Sequence, residues 1–99
     1  MKLRHAVAEA IKVARKLHGL SQEDFSVISS RTYVSSLERS KKSPTVDKLE
    51  QLCQVTHISP ASILLAAEII SSKPSSHTDV WEEILRKSNL IVDEYMSKR

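Results

Sequence analysis

The chain of 99 residues holds one glycine and three prolines. Tight turns that demand positive φ are therefore scarce, which argues against a sheet protein built from hairpins. Alanine, leucine, lysine and glutamate are plentiful instead, and these are good helix formers. The composition predicts an all-α protein. A single cysteine, Cys53, excludes an internal disulfide. It shares a helical apolar row with Leu49 and Leu52, so it reads as a buried free thiol, which suits a reducing compartment. Aromatic residues are limited to Phe25, Tyr33, Trp81 and Tyr95, so the core has to be aliphatic. The longest apolar run, 63–67, is too short to span a bilayer. The N-terminus, Met-Lys-Leu-Arg, leads into a segment charged at Glu9 and Lys12 rather than into the apolar stretch of a secretory signal. The expected location is cytoplasmic, with no membrane partner.

Catalytic and metal chemistry are equally poorly supplied. His5, His18, His57 and His77 share no ligand spacing, and Cys53 precedes His57 without a second cysteine to complete a zinc set. One glycine cannot build a glycine-rich phosphate loop. Glu82-Glu83 and Asp93-Glu94 fall on the solvent side of a helical pattern. The expectation is a protein without catalytic residues, metal or cofactor.

What the chain does have is an uneven charge. Residues 1–48 hold ten Lys/Arg against five Asp/Glu, a net +5, and residues 49–99 hold five against seven, a net −2, together the chain's +3. A basic N-terminal half suits a polyanionic partner.

Hydrophobic periodicity predicts a series of helices. Leu3, Val7, Ala10, Ile11, Ala14 and Leu17 recur at three- and four-residue spacing over 3–18, and Gly19 follows as a stop. Ser21 caps a second helix that carries acidic residues in its first turn and turns Phe25 and Ile28 inward. Ser30 caps a third, running from Arg31 to about Ser40. There Tyr33 or Val34 points inward with Leu37, while Arg31, Thr32, Ser35, Ser36 and Arg39 point outward. Lys41-Lys42-Ser43-Pro44 is a basic loop, and Thr45 caps a fourth helix with Val46, Leu49, Leu52 and Cys53 as its inner row. Ser59-Pro60 starts a fifth through Ile63, Leu64, Ala67 and Ile70. The expected organisation is a domain over 1–70, a polar linker over 71–77 and a C-terminal amphipathic helix over 78–99.

Two short helices joined by a tight turn, the second with small polar and arginine side chains outward, suit a major groove, which admits one α-helix whose N-terminal residues reach base edges. The segments Gly19-Leu20-Ser21-Gln22-Glu23-Asp24-Phe25, Tyr33-Val34-Ser35-Ser36-Leu37-Glu38-Arg39 and Lys42-Ser43-Pro44-Thr45 occur in that order. They resemble the Cro/CI (XRE) family, whose pattern is of the type G-L-S-Q-E-E-L, then Y-I-S-x-I-E-R-G, then K-x-x-P-S or K-x-P-T. The resemblance covers roughly residues 4–68. It implies a five-helix, lambda-repressor-like DNA-binding domain in which the second and third helices form the helix-turn-helix.

By position, the resemblance implies that Ser21 and Gln22 lie at a phosphate and that Arg31, Thr32, Ser35 and Ser36 face bases. Tyr33, Arg39, Lys41 and Lys42 would flank them on phosphate or sugar, and Arg15 and Glu38 would form an internal ion pair. The chain departs from the pattern locally. Its turn is two residues shorter, Ser29 and Ser30 stand where the family has glycine, Ser26 replaces a packed alanine, and Ser40 follows Arg39 in place of glycine.

The implied function is a sequence-specific DNA-binding regulator, most simply a repressor that binds a two-fold symmetric operator in double-stranded DNA as a homodimer. The other readings are an antitoxin or coregulator that uses the same fold to bind a protein partner, and a nonspecific nucleoid-type binder. The C-terminal stripe of Trp81, Ile84, Leu85, Val92 and Tyr95 is too wide for an isolated surface helix. It either folds back on its own domain or forms a dimer interface, joined there by Ile63, Leu64 and Ile70.

Overall fold

A computed structural model describes residues 1–73 and 75–98. Pro74, in the expected linker, and Arg99, at the end of the expected last helix, lie outside the described residues. The described chain forms five α-helices: α1 (Leu3–Leu17), α2 (Arg31–Glu38), α3 (Val46–Thr56), α4 (Pro60–Ser72) and α5 (His77–Ser97). Between α1 and α2 lies a single 3₁₀ turn, Gln22–Phe25. No single helix among the described residues is long and apolar enough to cross a membrane.

The start signals act where the side-chain chemistry allows. Ser30, Thr45, Ser59 and Ser76 each accept a hydrogen bond from a backbone N–H of the helix they cap. Pro60 occupies the first turn of α4, where its missing N–H costs nothing. Two expectations are corrected. The second helix is only the 3₁₀ turn, because a connection shortened by two residues leaves no room for several α-turns. Its serines, Ser26, Ser29 and Ser30, also favour turns over helix. The polar linker also shrinks, since α4 runs on to Ser72 and Ser76 caps α5, with His77 as its first residue.

The core is built from one face of each of the first four helices. Ala6, Val7, Ala10, Ile11 and Ala14 of α1 pack chiefly against α4, which contributes Ile63 and Ala67. The small alanine side chains let the two helices approach closely. Phe25, Val34, Leu37, Leu49, Leu52 and Cys53 close the cluster from the other side. Burial pushes the Cys53 thiol above its ordinary pKa, which keeps it protonated and unreactive. Some periodic positions do not reach this core: Val46, expected in the inner row of α3, is 82% exposed, and Leu17 is also exposed. Both sit in an end turn of their helix, and Val46 lines an open groove with Leu3, Val7 and Leu64 instead of entering the core. Of the two inward candidates on α2, Val34 is fully buried and Tyr33 half-buried against the cluster.

A buried ion pair crosses the core's edge. Arg15 donates from Nε and Nη2 to the two carboxylate oxygens of Glu38 at 2.7 and 2.9 Å. Its Nη1 donates to the Leu20 carbonyl at 2.7 Å, and Gln22 Nε2 donates to Glu38 Oε1 at 3.2 Å. Burial pushes the Glu38 pKa up. The bonds from Arg15 and Gln22, with the charges of Arg15 and Lys12, outweigh it and hold the carboxyl below its ordinary value.

Glycine scarcity shows at the helix ends. Gly19 takes φ +65°, with Gly19 and Leu20 N–H closing back on Lys16 and Arg15 carbonyls. The same closure ends α2, where Ser40 and Lys41 N–H bond Leu37 and Ser36 carbonyls, but here Ser40 takes φ +62°. His57 and Lys73 are also left-handed, after α3 and α4.

Two measurements follow from this architecture. A Ser40→Gly chain relieves a left-handed backbone carrying a Cβ, so urea denaturation should show it more stable by about 1 kcal/mol; an unchanged midpoint would mean Ser40 carries no strain. Glu38→Gln leaves the buried Arg15 uncompensated and should cost roughly 3 kcal/mol near neutral pH. Because the folded carboxyl has the lower pKa, its contribution is complete above the ordinary glutamate range and lost as pH falls through the depressed folded value. The stability gap between wild type and Glu38→Gln should therefore close on acidification.

Candidate nucleic-acid interface

The site begins with how α2 starts. Ser30 Oγ accepts the Tyr33 N–H at 3.1 Å, which launches the helix with Arg31 and Thr32 in its first turn, both exposed. Val34 and Leu37 anchor its opposite side in the core, so rotation about the axis is set by burial. Ser35 and Ser36 are half-buried between these two faces.

Five of the expected residues line one shallow groove of about 370 Å³: Gln22, Arg31, Thr32, Ser35 and Arg39. Arg39 Nε lies 3.4 Å from the Ser35 carbonyl, and Arg31 Nη1 lies 3.7 Å from Glu23 Oε1. The groove therefore presents two guanidinium groups and two hydroxyls around a carboxamide. These groups can donate to phosphate and to guanine or adenine edges, with hydroxyls that also accept.

The other expected residues are placed around it. Ser21 lies just before the 3₁₀ turn with its N–H and hydroxyl both engaged by Asp24 Oδ2, at 2.6 and 3.1 Å. Lys41 and Lys42 are exposed on the loop after Ser40. Tyr33 is not part of the groove's lining, packs partly on the core, and has Lys42 Nζ 5.5 Å from its ring centroid. Burial raises the phenol's pKa, so it remains a neutral donor. Gln22 does double duty, lining the groove while donating to the buried Glu38.

The structure also brings in residues that sequence reading passed over. Glu23 sits beside Arg31, and Lys48, in the first turn of α3, donates from Nζ to the Ile28 carbonyl at 3.0 Å and lies 5.4 Å from the Tyr33 ring. A signal for Lys48 existed, since a cation in a helix's first turn opposes the dipole and calls for a tertiary partner.

The expected interface residues divide. Ile63 is buried in the domain's own core and cannot serve a dimer, because α1 already covers it. Ile70 packs partly on that core, and Leu64 is 43% exposed. Trp81, Leu85, Val92 and Tyr95 are exposed on α5, and Ile84 is half-buried.

Comparison with known proteins agrees with this geometry. No curated protein sequence matches the chain. Two crystal structures of the clp gene regulator ClgR from Corynebacterium glutamicum do. One is 26% identical, covers 77% of this chain and 99% of its own, and superposes with a TM-score of 0.66. The other, at 21% identity, covers 97% of this chain and 95% of its own with a TM-score of 0.65, a likeness of fold. Residues 11–63, more than half the chain, match the helix-turn-helix family. The polar groove on an exposed two-turn helix, its basic flank and this match agree: the chain belongs to the Cro/CI (XRE) helix-turn-helix family and is a DNA-binding transcriptional regulator.

Proposed function

We propose that the chain represses transcription by binding a two-fold symmetric operator as a homodimer, with Arg31, Thr32, Ser35 and Ser36 reading bases. Ser21, Gln22, Tyr33, Arg39, Lys41 and Lys42 hold the flanking phosphates and sugars. The observation that carries the base reading is the groove shared by Gln22, Arg31, Thr32, Ser35 and Arg39, which runs along α2 from its first turn to its C-cap. Such a surface meets the hydrogen-bonding demands of a major groove, and occlusion of a promoter asks nothing further of it.

The dimer is supported by α5. Its 21 residues include none that is buried. Trp81, Leu85, Leu90, Ile91, Val92 and Met96 are all at least 42% exposed, a larger apolar surface than periodicity alone suggested. A radius of gyration of 14.9 Å exceeds the roughly 13 Å expected of a compact chain of this length, because α5 projects from the domain. Packing α5 on its own domain would have hidden this surface; pairing with a second copy would hide it, and a two-fold symmetric operator calls for two α2 helices about one DNA turn apart.

Selection of bound duplexes from random DNA tests the reading as a whole. A palindromic consensus is the expected outcome, and no consensus would leave a nonspecific binder. At the selected site, Arg31→Ala should lose on the order of 1–3 kcal/mol, with far less lost on random DNA. The double change Lys41→Ala with Lys42→Ala should weaken both DNAs alike and flatten the salt dependence by roughly one to two units of slope. An unaltered slope would make the two lysines a solvated loop.

The dimer has its own test. The buried cluster ends at Ala67, so a chain stopped after Ser72 keeps its core. It should sediment as a monomer at micromolar concentration and bind the operator more than about tenfold more weakly. A truncated chain that stays dimeric would leave α5 free for a protein partner, the antitoxin-like alternative.

A further inference from the structure

The helix that meets DNA in the reading above is only eight residues long, and its buried anchors, Val34 and Leu37, lie in its middle and last turn. Its first turn carries Arg31 and Thr32 out into solvent, on a connection with no glycine and two residues fewer than the family pattern. Hydrogen bonds to base edges tolerate only a few tenths of an ångström and a few tens of degrees. Something has to hold that first turn in place, and one side chain reaches both it and the connection.

Lys48 stands at the third position of α3, with its backbone N–H donating to the Thr45 Oγ1 cap at 3.1 Å, so the base of its side chain is fixed. From there the ammonium donates to the Ile28 carbonyl at 3.0 Å, two residues before the Ser30 cap of α2. The same ammonium lies 5.4 Å from the centre of the Tyr33 ring, within the range of a cation–π attraction. Tyr33 is the third residue of α2, next to Thr32, and packs partly on the core. One charged group thus joins α3, the connection and the first turn of α2. A cation this near a helix N-terminus is electrostatically disfavoured by the dipole, and the carbonyl and the ring offset that cost.

We propose that Lys48 is a positioning residue for base reading: its ammonium ties the shortened connection and Tyr33 to α3, and so sets the pose in which α2 presents Arg31, Thr32 and Ser35. The inference rests on the DNA-reading proposal above. Lys48 contributes to specificity without touching DNA, since its ammonium is directed to Ile28 and Tyr33 and it is only half-exposed, unlike Lys41 and Lys42.

The test uses the full chain, the duplex that wild type selects from random DNA, and a scrambled duplex of the same composition. Binding of wild type, Lys48→Met and Lys48→Arg is measured over a series of salt concentrations, with circular dichroism to follow folding. Lys48→Met keeps the aliphatic stem and loses the ammonium. It should weaken binding to the selected site roughly tenfold and to the scrambled duplex by less than about twofold, with the salt slope unchanged. Lys48→Arg keeps a cationic donor for the carbonyl and the ring and should restore the ratio to within about threefold of wild type.

Equal losses on both duplexes with a slope lower by about one would make Lys48 a phosphate contact and overturn the proposal. So would a Lys48→Met chain that discriminates like wild type, or a Lys48→Arg chain as poor as Lys48→Met. A Lys48→Met chain that melts below the assay temperature would place Lys48 in the stability of the fold rather than in the alignment of α2, and would also overturn it. A wild-type chain that selects no consensus would overturn the DNA-reading proposal itself, and this one with it.

Discussion

The pair between Arg15 and Glu38 is the contact on which the placement of the DNA-facing surface depends. Three guanidinium nitrogens of Arg15 are used at once, two on Glu38 and one on the Leu20 carbonyl. One side chain from the end of α1 therefore ties down the chain just past Gly19 and the end of α2. Gln22 completes the arrangement by donating to the same carboxylate while its own residue lines the groove. Separated by 23 residues in sequence, the two charges close a loop that contains the whole connection and α2. Taking both out of water is costly, so the bidentate geometry and the extra donors are what make the pair tolerable. Its consequence is register: α2 can meet α1 in only one way that satisfies both charges.

Around that fixed point the structure works with few glycines. A helix end that turns back on itself favours a left-handed residue, and among the described residues three of the four such positions carry side chains: Ser40, His57 and Lys73. At Ser40 the left-handed turn delivers the chain directly into Lys41 and Lys42, so the backbone strain lies beside the surface that flanks the groove. The shortened connection before α2 responds differently. It gives up a helix, contracting to a single 3₁₀ turn, and takes a lysine ammonium from α3 on the Ile28 carbonyl. Both features place local cost next to the functional surface while the core, drawn from all of the first four helices and Phe25, stays closed.

The terminal helix follows another logic. Several of its charges pair locally, Glu83 with Arg86 and Lys87, and Glu94 with Lys98 just past its end. Most of its apolar residues, from Leu85 to Met96, are left exposed by the domain. A helix that pairs charges along its own length and leaves an apolar surface uncovered is suited to association, and symmetry between two copies is the simplest way to complete it.

Local chemistry was sufficient to read much of this from the residues. Ser30, Thr45 and Ser59-Pro60 mark helix starts because a hydroxyl must meet an N–H within three residues, and Gly19 marks an end because positive φ is cheap there. Arg31, Thr32 and Ser35 were visible as an outward polar face because Val34 and Leu37 have to point inward, and helical periodicity ties the two faces together. Composition likewise determined the helical class and the aliphatic core. Only the tertiary structure decided that 22–25 is a 3₁₀ turn, since four residues can adopt either helix and the choice rests on how far α1 and α2 stand apart. It alone placed Ile63 inside the core rather than on a dimer face, because any apolar residue on a two-sided helix fits either until a neighbour claims it. Lys48 and Gln22 found their partners the same way: a long polar side chain reaches in many directions, and which carbonyl or carboxylate lies at its end is settled by packing 16 to 20 residues away in sequence.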